Sequence, residues 1–311
     1  MNHNEELLRK IKGKVLFNEH MRNHTTFKIG GPADILMVPK DLADIKFCIT
    51  YAKERRIPLY VIGNGSKLLV SDNGIRGIVI KIAKTLDCIE VSGERITAGA
   101  GCSISELIKI ATQHYLSGIE FAAGIPGTLG GAIAMNAGTY LGSMSDIVSK
   151  VTVMDLLNGS LHILAKDDCS FGYRKSIFLE NGLIILKAEL NMKKGNQNEI
   201  KEKINRLHKK RKRTQPLEKH NAGSIFKNTA NVSAGKLIDA AGLKGFRIGD
   251  AQISEKHANF IVNLEKARAW DVLELMKIIQ KKVKSKYGTT LIPELKQIGD
   301  FIQSNSETSL P

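Results

Sequence analysis

Three short segments of this chain pair a reactive side chain with backbone shaped by glycine or proline. They are Phe171-Gly172-Tyr173-Arg174, Asn221-Ala222-Gly223-Ser224-Ile225-Phe226-Lys227-Asn228 and Ile292-Pro293-Glu294-Leu295. An arginine, a serine and a glutamate acting together can hold an anionic group, share charge with it and deliver a proton to carbon. Each also has an ordinary reading taken singly: Arg174 as a surface cation, Ser224 as a turn residue after Gly223, Glu294 as a solvated acid after a proline. Ser224 does not sit in GxSxG, so the hydrolase nucleophile elbow is absent. The spacing of His220 and His257 gives no support to a serine–histidine system.

Two glycine-rich stretches could bring backbone N–H groups close to a phosphate or a flat ring. One is Gly63-Asn64-Gly65-Ser66, between the apolar runs Leu59–Ile62 and Gly77–Ile82. Strand, glycine loop and return strand form a phosphate-cradling arrangement. The loop fits neither GxxxxGK[ST] nor a helix-opening GxGxxG, which disfavours a nucleotide triphosphatase and a Rossmann site. The other stretch, Gly118 to Gly142, holds seven glycines and one charged side chain, Glu120. So many glycines, with Pro126, make it a poor core helix, and its apolar content makes it a poor surface loop. A tightly packed turn between core elements is its plainer reading.

These segments need a frame to position them. Leu42, Ile45, Ile49 and Ala52 share one face of a helix expected over Asp41–Arg56. Strands are expected at Cys88–Val91, Arg95–Ala98, Val148–Leu156, Leu161–Leu164 and Leu183–Leu190, with Asn158-Gly159 as a hairpin turn. Ser103-x-x-Glu106 is a capping box for a helix bearing Leu107, Ile110 and Ala111. From about Gln197 helical and basic patterns dominate, with helices expected at 198–213, Ser233–Ala241 and Asp271–Tyr287, the last ending at Gly288. The expected organisation is a helical lead-in over 1–24, a domain over 25–193, a second over 197–302, and a polar, disordered tail over 303–311.

The 311 residues carry a formal charge of +15, and five of the cations form the run Lys209-Lys210-Arg211-Lys212-Arg213. That run reads as the solvated end of a helix, as a contact for a small anion, or as a nucleic-acid patch. With 5% aromatic residues and no stacking pattern or zinc finger, specific nucleic-acid binding is not expected. Cysteines at 48, 88, 102 and 169 offer no CxxC pair, so no metal site and no disulfide framework are expected. The N-terminal segment lacks a signal-like apolar run and no stretch reads as a membrane span, so the chain is read as cytoplasmic.

Together, the two glycine loops, FGYR, NAGSIFKN and PEL resemble the UDP-N-acetylenolpyruvoylglucosamine reductases, in order from about Thr25 to Gly299. The resemblance implies an α+β fold of the para-cresol methylhydroxylase and vanillyl-alcohol oxidase type: two subdomains hold FAD, and a C-terminal α+β domain covers its ring. It implies non-covalent FAD, with NADPH as co-substrate and UDP-N-acetylglucosamine enolpyruvate as the molecule reduced, in peptidoglycan precursor synthesis. Ile62, Gly63, Asn64, Gly65, Ser66, Lys67 and Leu68 would cradle the FAD diphosphate. Gly124, Ile125, Pro126, Gly127, Thr128, Gly130, Gly131 and Ala134 would line the cofactor further along. Ser224 would donate the proton, with Arg174 and Glu294 around the reacting carboxylate and Asn136, Tyr173, Lys227 and Asn228 near the substrate.

The chain departs from the family pattern at two places: Lys67 stands where many relatives carry Asn, and Thr229 where proline often follows FKN. About fifty residues separate Arg174 from Ser224, as in the family's shorter subgroup without an inserted tyrosine loop. An FAD-dependent oxidase of small alcohols or sugars is the competing enzyme on the same fold. Many of these tether FAD through a His or Cys, and neither occurs between Cys48 and Cys88. A basic nucleic-acid-binding protein without catalysis is the competing class.

Overall fold

The helix read around Leu42 spans Leu42–Glu54, with Asp41 accepting from the Asp44 amide at 3.1 Å as its N-cap. Ile45, Ile49 and Ala52 are buried on its inner face. It packs beside a four-stranded sheet in the order Lys14–His20, Pro32–Val38, Ile75–Lys81, Leu59–Ile62. The first pair is antiparallel and the other two pairings are parallel. This computed structural model describes residues 3–180 and 182–301. The expected disordered tail lies outside them.

The segment expected as a helical lead-in is helical only over His3–Lys10; Lys14–His20 is the sheet's first strand. Burial alternates along KVLFNEH, with Val15, Phe17 and Glu19 less exposed than their neighbours, as in a strand with one face against the protein. Asp44 anchors it from below, its carboxylate accepting from the Lys12, Gly13 and Lys40 amides at 2.9, 2.9 and 2.8 Å.

A second, five-stranded antiparallel sheet runs Leu161–Ala165, Val148–Asp155, Leu183–Asn191, Arg95–Gly99, Ile89–Ser92. It shares one apolar core with the first sheet and with helix Ile104–Gln113, which Ser103 caps at the Glu106 amide. Helix Gln197–Thr214 packs on that helix. The third sheet runs His220–Ser224, Phe260–Asn263, Ala251–Ile253, Arg247–Ile248, all antiparallel. Helices Ala234–Ala240 and Ala269–Tyr287 back it around a separate core. In the longer helix Val272, Leu275, Met276, Ile279 and Val283 are buried, and Gly288 ends it in the left-handed conformation.

The chain end returns to its beginning. Lys296–Ile298 pairs in parallel with Leu68–Val70, directly after the first glycine loop. Phe27, Ile29 and Leu69 join the apolar core of the third sheet. No helix among the described residues is long and apolar enough to cross a membrane.

The glycine-rich stretch is not irregular throughout, as its composition led us to expect. Leu129–Ala134 is a short helix, capped by Thr128 Oγ1 at the Gly131 amide, 3.3 Å. Packing overrides propensity here: a Cβ on Gly130 would lie 2.9 Å from that of Ala100, so glycine lets this helix close on the turn that follows strand Arg95–Gly99.

Candidate active site

Two of the three reactive segments meet through their backbones, and the third joins them through side chains. Beyond Ser224 the chain leaves its strand and is pinned by Asn259. The Ile225 amide donates to the Asn259 carbonyl (2.9 Å) and the Phe226 amide to Asn259 Oδ1 (2.9 Å). Asn259 Nδ2 in turn donates to the Phe226 carbonyl (2.8 Å). Phe226 bridges to Pro293, the Glu294 amide donates to the Ile225 carbonyl (2.8 Å), and the Lys227 amide to that of Ile292 (2.9 Å). The Ser224 and Glu294 segments are therefore neighbours although the two residues lie seventy positions apart.

Arg174 comes from the opposite side, in a tight turn closed by Gly172 and Lys175. Its φ of 53° is a costly conformation for a residue with a side chain, of the kind that clusters at functional sites. Its Nε lies 3.2 Å from Glu294 Oε1, while Nη2 donates to the Gly138 carbonyl (2.7 Å) and Nη1 to that of Asn136 (3.4 Å). Every nitrogen of the guanidinium is thus engaged, which aims the side chain rigidly. Lys67 Nζ lies 2.9 Å from the same Glu294 oxygen and donates to the Ser224 carbonyl at 2.6 Å. The side chains of Lys67, Arg174 and Glu294 are 21%, 20% and 9% exposed. Burial pushes the Lys67 pKa down, and the Glu294 carboxylate opposes that shift.

The residues expected near the substrate surround this cluster. The Tyr173 hydroxyl accepts from the Asn228 amide (3.3 Å), and its ring centroid is 5.1 Å from the Arg174 guanidinium carbon. Lys227 Nζ donates to the Arg174 carbonyl at 3.5 Å. The two asparagines are likewise held by the protein. Asn136 is buried between the Gly172 carbonyl and the Ser145 amide, at 2.9 Å from each. Asn228 Oδ1 accepts from the Ala234 amide (3.1 Å) at the start of helix Ala234–Ala240.

The two glycine loops lie against each other, as a site for an extended cofactor requires. Asn64 Nδ2 donates to the Pro126 carbonyl (3.1 Å), and a Cβ on Gly63 would lie 2.4 Å from Thr128 Oγ1. Ile62, Gly63, Thr128, Gly130, Gly131 and Ala134 line a cavity of about 120 Å³. Asn64, Gly124 and Pro126 line a larger cleft of about 540 Å³ that reaches Gly223, next to Ser224.

By charge, that larger cleft suits a diphosphate-bearing cofactor such as FAD. Its other walls include Lys28, Lys81, Lys219 and Arg211, with no Asp or Glu among the lining residues. Cations without matching carboxylates form a site for a diphosphate. Arg211 Nε is buried with no hydrogen-bond partner among the described residues, and burial depresses the pKa of its guanidinium. Such an orphaned donor calls for an acceptor that the protein itself does not supply.

Two family models match the chain: an FAD binding domain over residues 33–165, and the C-terminal domain of UDP-N-acetylenolpyruvoylglucosamine reductase over residues 215–298. A reductase of that name from Caldanaerobacter subterraneus subsp. tengcongensis is 48% identical over 95% of this chain and 97% of its own length. This chain belongs to the UDP-N-acetylenolpyruvoylglucosamine reductase family. The relative from Clostridioides difficile is 45% identical over 93% of this chain and 95% of its own. The crystal structure of the reductase from Thermus caldophilus superposes with a TM-score of 0.79 at 37% identity, covering 93% of this chain and 99% of that one.

The family motifs point to Arg174, Ser224 and Glu294, and with them to Lys67 and Asn136, but not to Asn259, which pins the Ser224 segment. Asn259 lies in none of the quoted motifs, and its signal is only visible once Phe226 is placed beside it. Arg211 was visible as one cation of five. Helical periodicity alone separates it from its neighbours, since Leu207, four positions earlier, is buried on the same face.

Proposed function

We propose that this chain reduces the enolpyruvyl group of UDP-N-acetylglucosamine enolpyruvate to give UDP-N-acetylmuramate, an oxidoreductase step in peptidoglycan precursor synthesis. The observation that carries the reading is the convergence of Arg174, Glu294 and the Ser224 segment beside a glycine-walled, cation-lined cleft in a chain of this family. The same reading places the enzyme in the cytoplasm and its product in cell-wall biogenesis, and so in cell shape and division. Residues 25–193 would form the FAD-binding domain and 197–302 the substrate-binding domain.

When bound, FAD supplies the hydride chemistry, taking two electrons from NADPH and passing them to the enolpyruvyl carbon. Asn64, the backbone of Gly63–Ser66, Gly124–Gly131 and the Arg211 guanidinium would hold it non-covalently. Negative charge then builds on the substrate carbon next to the carboxylate. Arg174, fixed by two backbone carbonyls and Glu294, presents a preorganised cation to that charge. A serine hydroxyl is a weak acid, and the carbanionic carbon is basic enough to take its proton. The clamping of its peptide from both sides, by Lys67 and through Ile225 by Asn259, supports that role for Ser224.

Ser224→Ala tests the assignment. FAD binding and the NADPH half-reaction should be nearly unchanged. The half-reaction with the enolpyruvyl substrate should slow by about 10²–10⁴, the usual worth of a well-placed general acid. Equal slowing of both halves would make Ser224 structural, and an unchanged second half would assign the proton to another group or to water.

A further inference from the structure

The ammonium that completes the acid–cation cluster comes from the cofactor loop. Lys67 follows Ser66 in the loop that begins at Gly63, and its side chain reaches the C-terminal part of the chain. There it makes two contacts: Nζ to the Ser224 carbonyl at 2.6 Å, and Nζ to Glu294 Oε1 at 2.9 Å. Both are charge-assisted, the stronger class of hydrogen bond. Arg174 Nε falls on the same carboxylate oxygen at 3.2 Å, so two cations fix one oxygen of Glu294. The backbone repeats the connection: the Lys67 carbonyl accepts from the Lys296 amide (3.0 Å), and Leu68–Val70 pairs with Lys296–Ile298. Lys227, the other cation close by, directs its Nζ to the Arg174 carbonyl at 3.5 Å.

We propose that Lys67 is a positioning residue of the reductive site, clamping the Ser224 peptide and the Glu294 carboxylate onto the cofactor loop. Ordering that loop around the cofactor thereby aims the proton donor. The inference rests on the reading that Ser224 and Glu294 serve the substrate half-reaction. It replaces a direct hold on FAD by Lys67 with a hold on the groups that face the substrate.

The test uses the purified holoenzyme with Lys67→Met, which keeps the stem and removes the charge, and with Lys67→Asn as a second neutral variant. Lys67→Arg keeps the charge. Glu294→Gln, Ser224→Ala and the double variant Lys67→Met/Glu294→Gln complete the set. Three quantities are read: FAD affinity by flavin fluorescence, and the NADPH and enolpyruvyl half-reactions separately by rapid mixing. Lys67→Met and Lys67→Asn should retain FAD affinity and the NADPH half-reaction within a few-fold. The enolpyruvyl half-reaction should slow by about 10²-fold, the cost of a small misplacement of reacting groups. Lys67→Arg should recover part of that loss, and the double variant should be little slower than Glu294→Gln, because the two residues act as one unit.

Loss of FAD affinity with a normal enolpyruvyl half-reaction would make Lys67 a cofactor contact and overturn the proposal. Additive losses in the double variant would overturn it too, as would an unchanged half-reaction in both neutral variants while Ser224→Ala is slow. If Ser224→Ala and Glu294→Gln also ran at the wild-type rate, the assignment of the site itself would be wrong, and Lys67 with it.

Discussion

Replacing Asn259 with alanine removes a side-chain amide that bonds both backbone groups of one buried residue, Phe226. Asn259 is 3% exposed and Phe226 is 1% exposed. The lost side chain was accepting from the Phe226 amide at 2.9 Å and donating to the Phe226 carbonyl at 2.8 Å. Neither backbone group can reach water in its place. A buried donor or acceptor left unmade costs about 1–3 kcal/mol, so the pair should cost about 2–6 kcal/mol. For a chain of this size each kcal/mol moves the melting temperature by about 2–4 °C, so Asn259→Ala should melt roughly 4–24 °C lower. The bond from the Ile225 amide goes to the Asn259 carbonyl and survives the substitution. The strand should therefore stay paired while the peptide two residues past Ser224 loosens. In rapid-mixing assays the enolpyruvyl half-reaction should slow more than the NADPH half-reaction. Asn259→Asp is the sharper control. It keeps an acceptor for the Phe226 amide and turns a carboxylate oxygen toward the Phe226 carbonyl. It should be no more stable than Asn259→Ala at neutral pH, and should gain on it as the pH falls toward about 4, because burial against a carbonyl raises the carboxyl's folded-state pKa above its unfolded value and the protonated group can donate. A melting temperature within 2 °C of wild type for Asn259→Ala would refute the reasoning, because two buried backbone groups would then have been satisfied some other way.

Arg211→Met should weaken FAD binding by about 10- to 100-fold, the worth of a charge-assisted hydrogen bond, as read by fluorescence titration of the apoprotein; unchanged affinity would place the orphaned Nε outside the cofactor site. Burial pushes the pKa of Glu120 up from 4.5, but the Ser117 hydroxyl, the Gly118 amide and Lys203 together bring it below that value. Its contribution to stability is then complete above about pH 4.5 and lost as the pH falls through the lowered folded-state value. The gap in melting temperature between wild type and Glu120→Gln should accordingly narrow between pH 5 and pH 3, and a constant gap would contradict this. Acid or heat denaturation should release the flavin into solution, with none left on the precipitated chain, because no His or Cys stands between Cys48 and Cys88 to tether it. Titrating the five-cation run Lys209–Arg213 with duplex DNA at rising salt should show weak binding that fades steeply; tight, sequence-dependent binding at physiological salt would reinstate the nucleic-acid reading.

Local patterns were enough to find the frame. The capped helices after Asp41 and Ser103, the hairpin at Asn158-Gly159 and the buried face Val272–Val283 all lie where periodicity and turn chemistry put them. These features depend on residues three or four positions apart, or on a two-residue turn, so one stretch of chain holds all the information. Motif order was likewise enough to pick out Arg174, Ser224 and Glu294 and to suggest the family. Where local preference competed with packing, the sequence misled: Lys14–His20 is a sheet strand, and Leu129–Ala134 is helical in spite of its glycines, because Ala100 leaves no room for a side chain. What the sequence could not convey is who holds whom. Asn259 bonds a peptide 33 positions away, Lys67 reaches across 157 to the Ser224 carbonyl, and one cation out of five turns inward at Gly124. Such contacts depend on how a returning strand, a bulge and a helix face come together in space. Only the folded chain decides them, since their energy comes from excluding water around groups that no local pattern brings together.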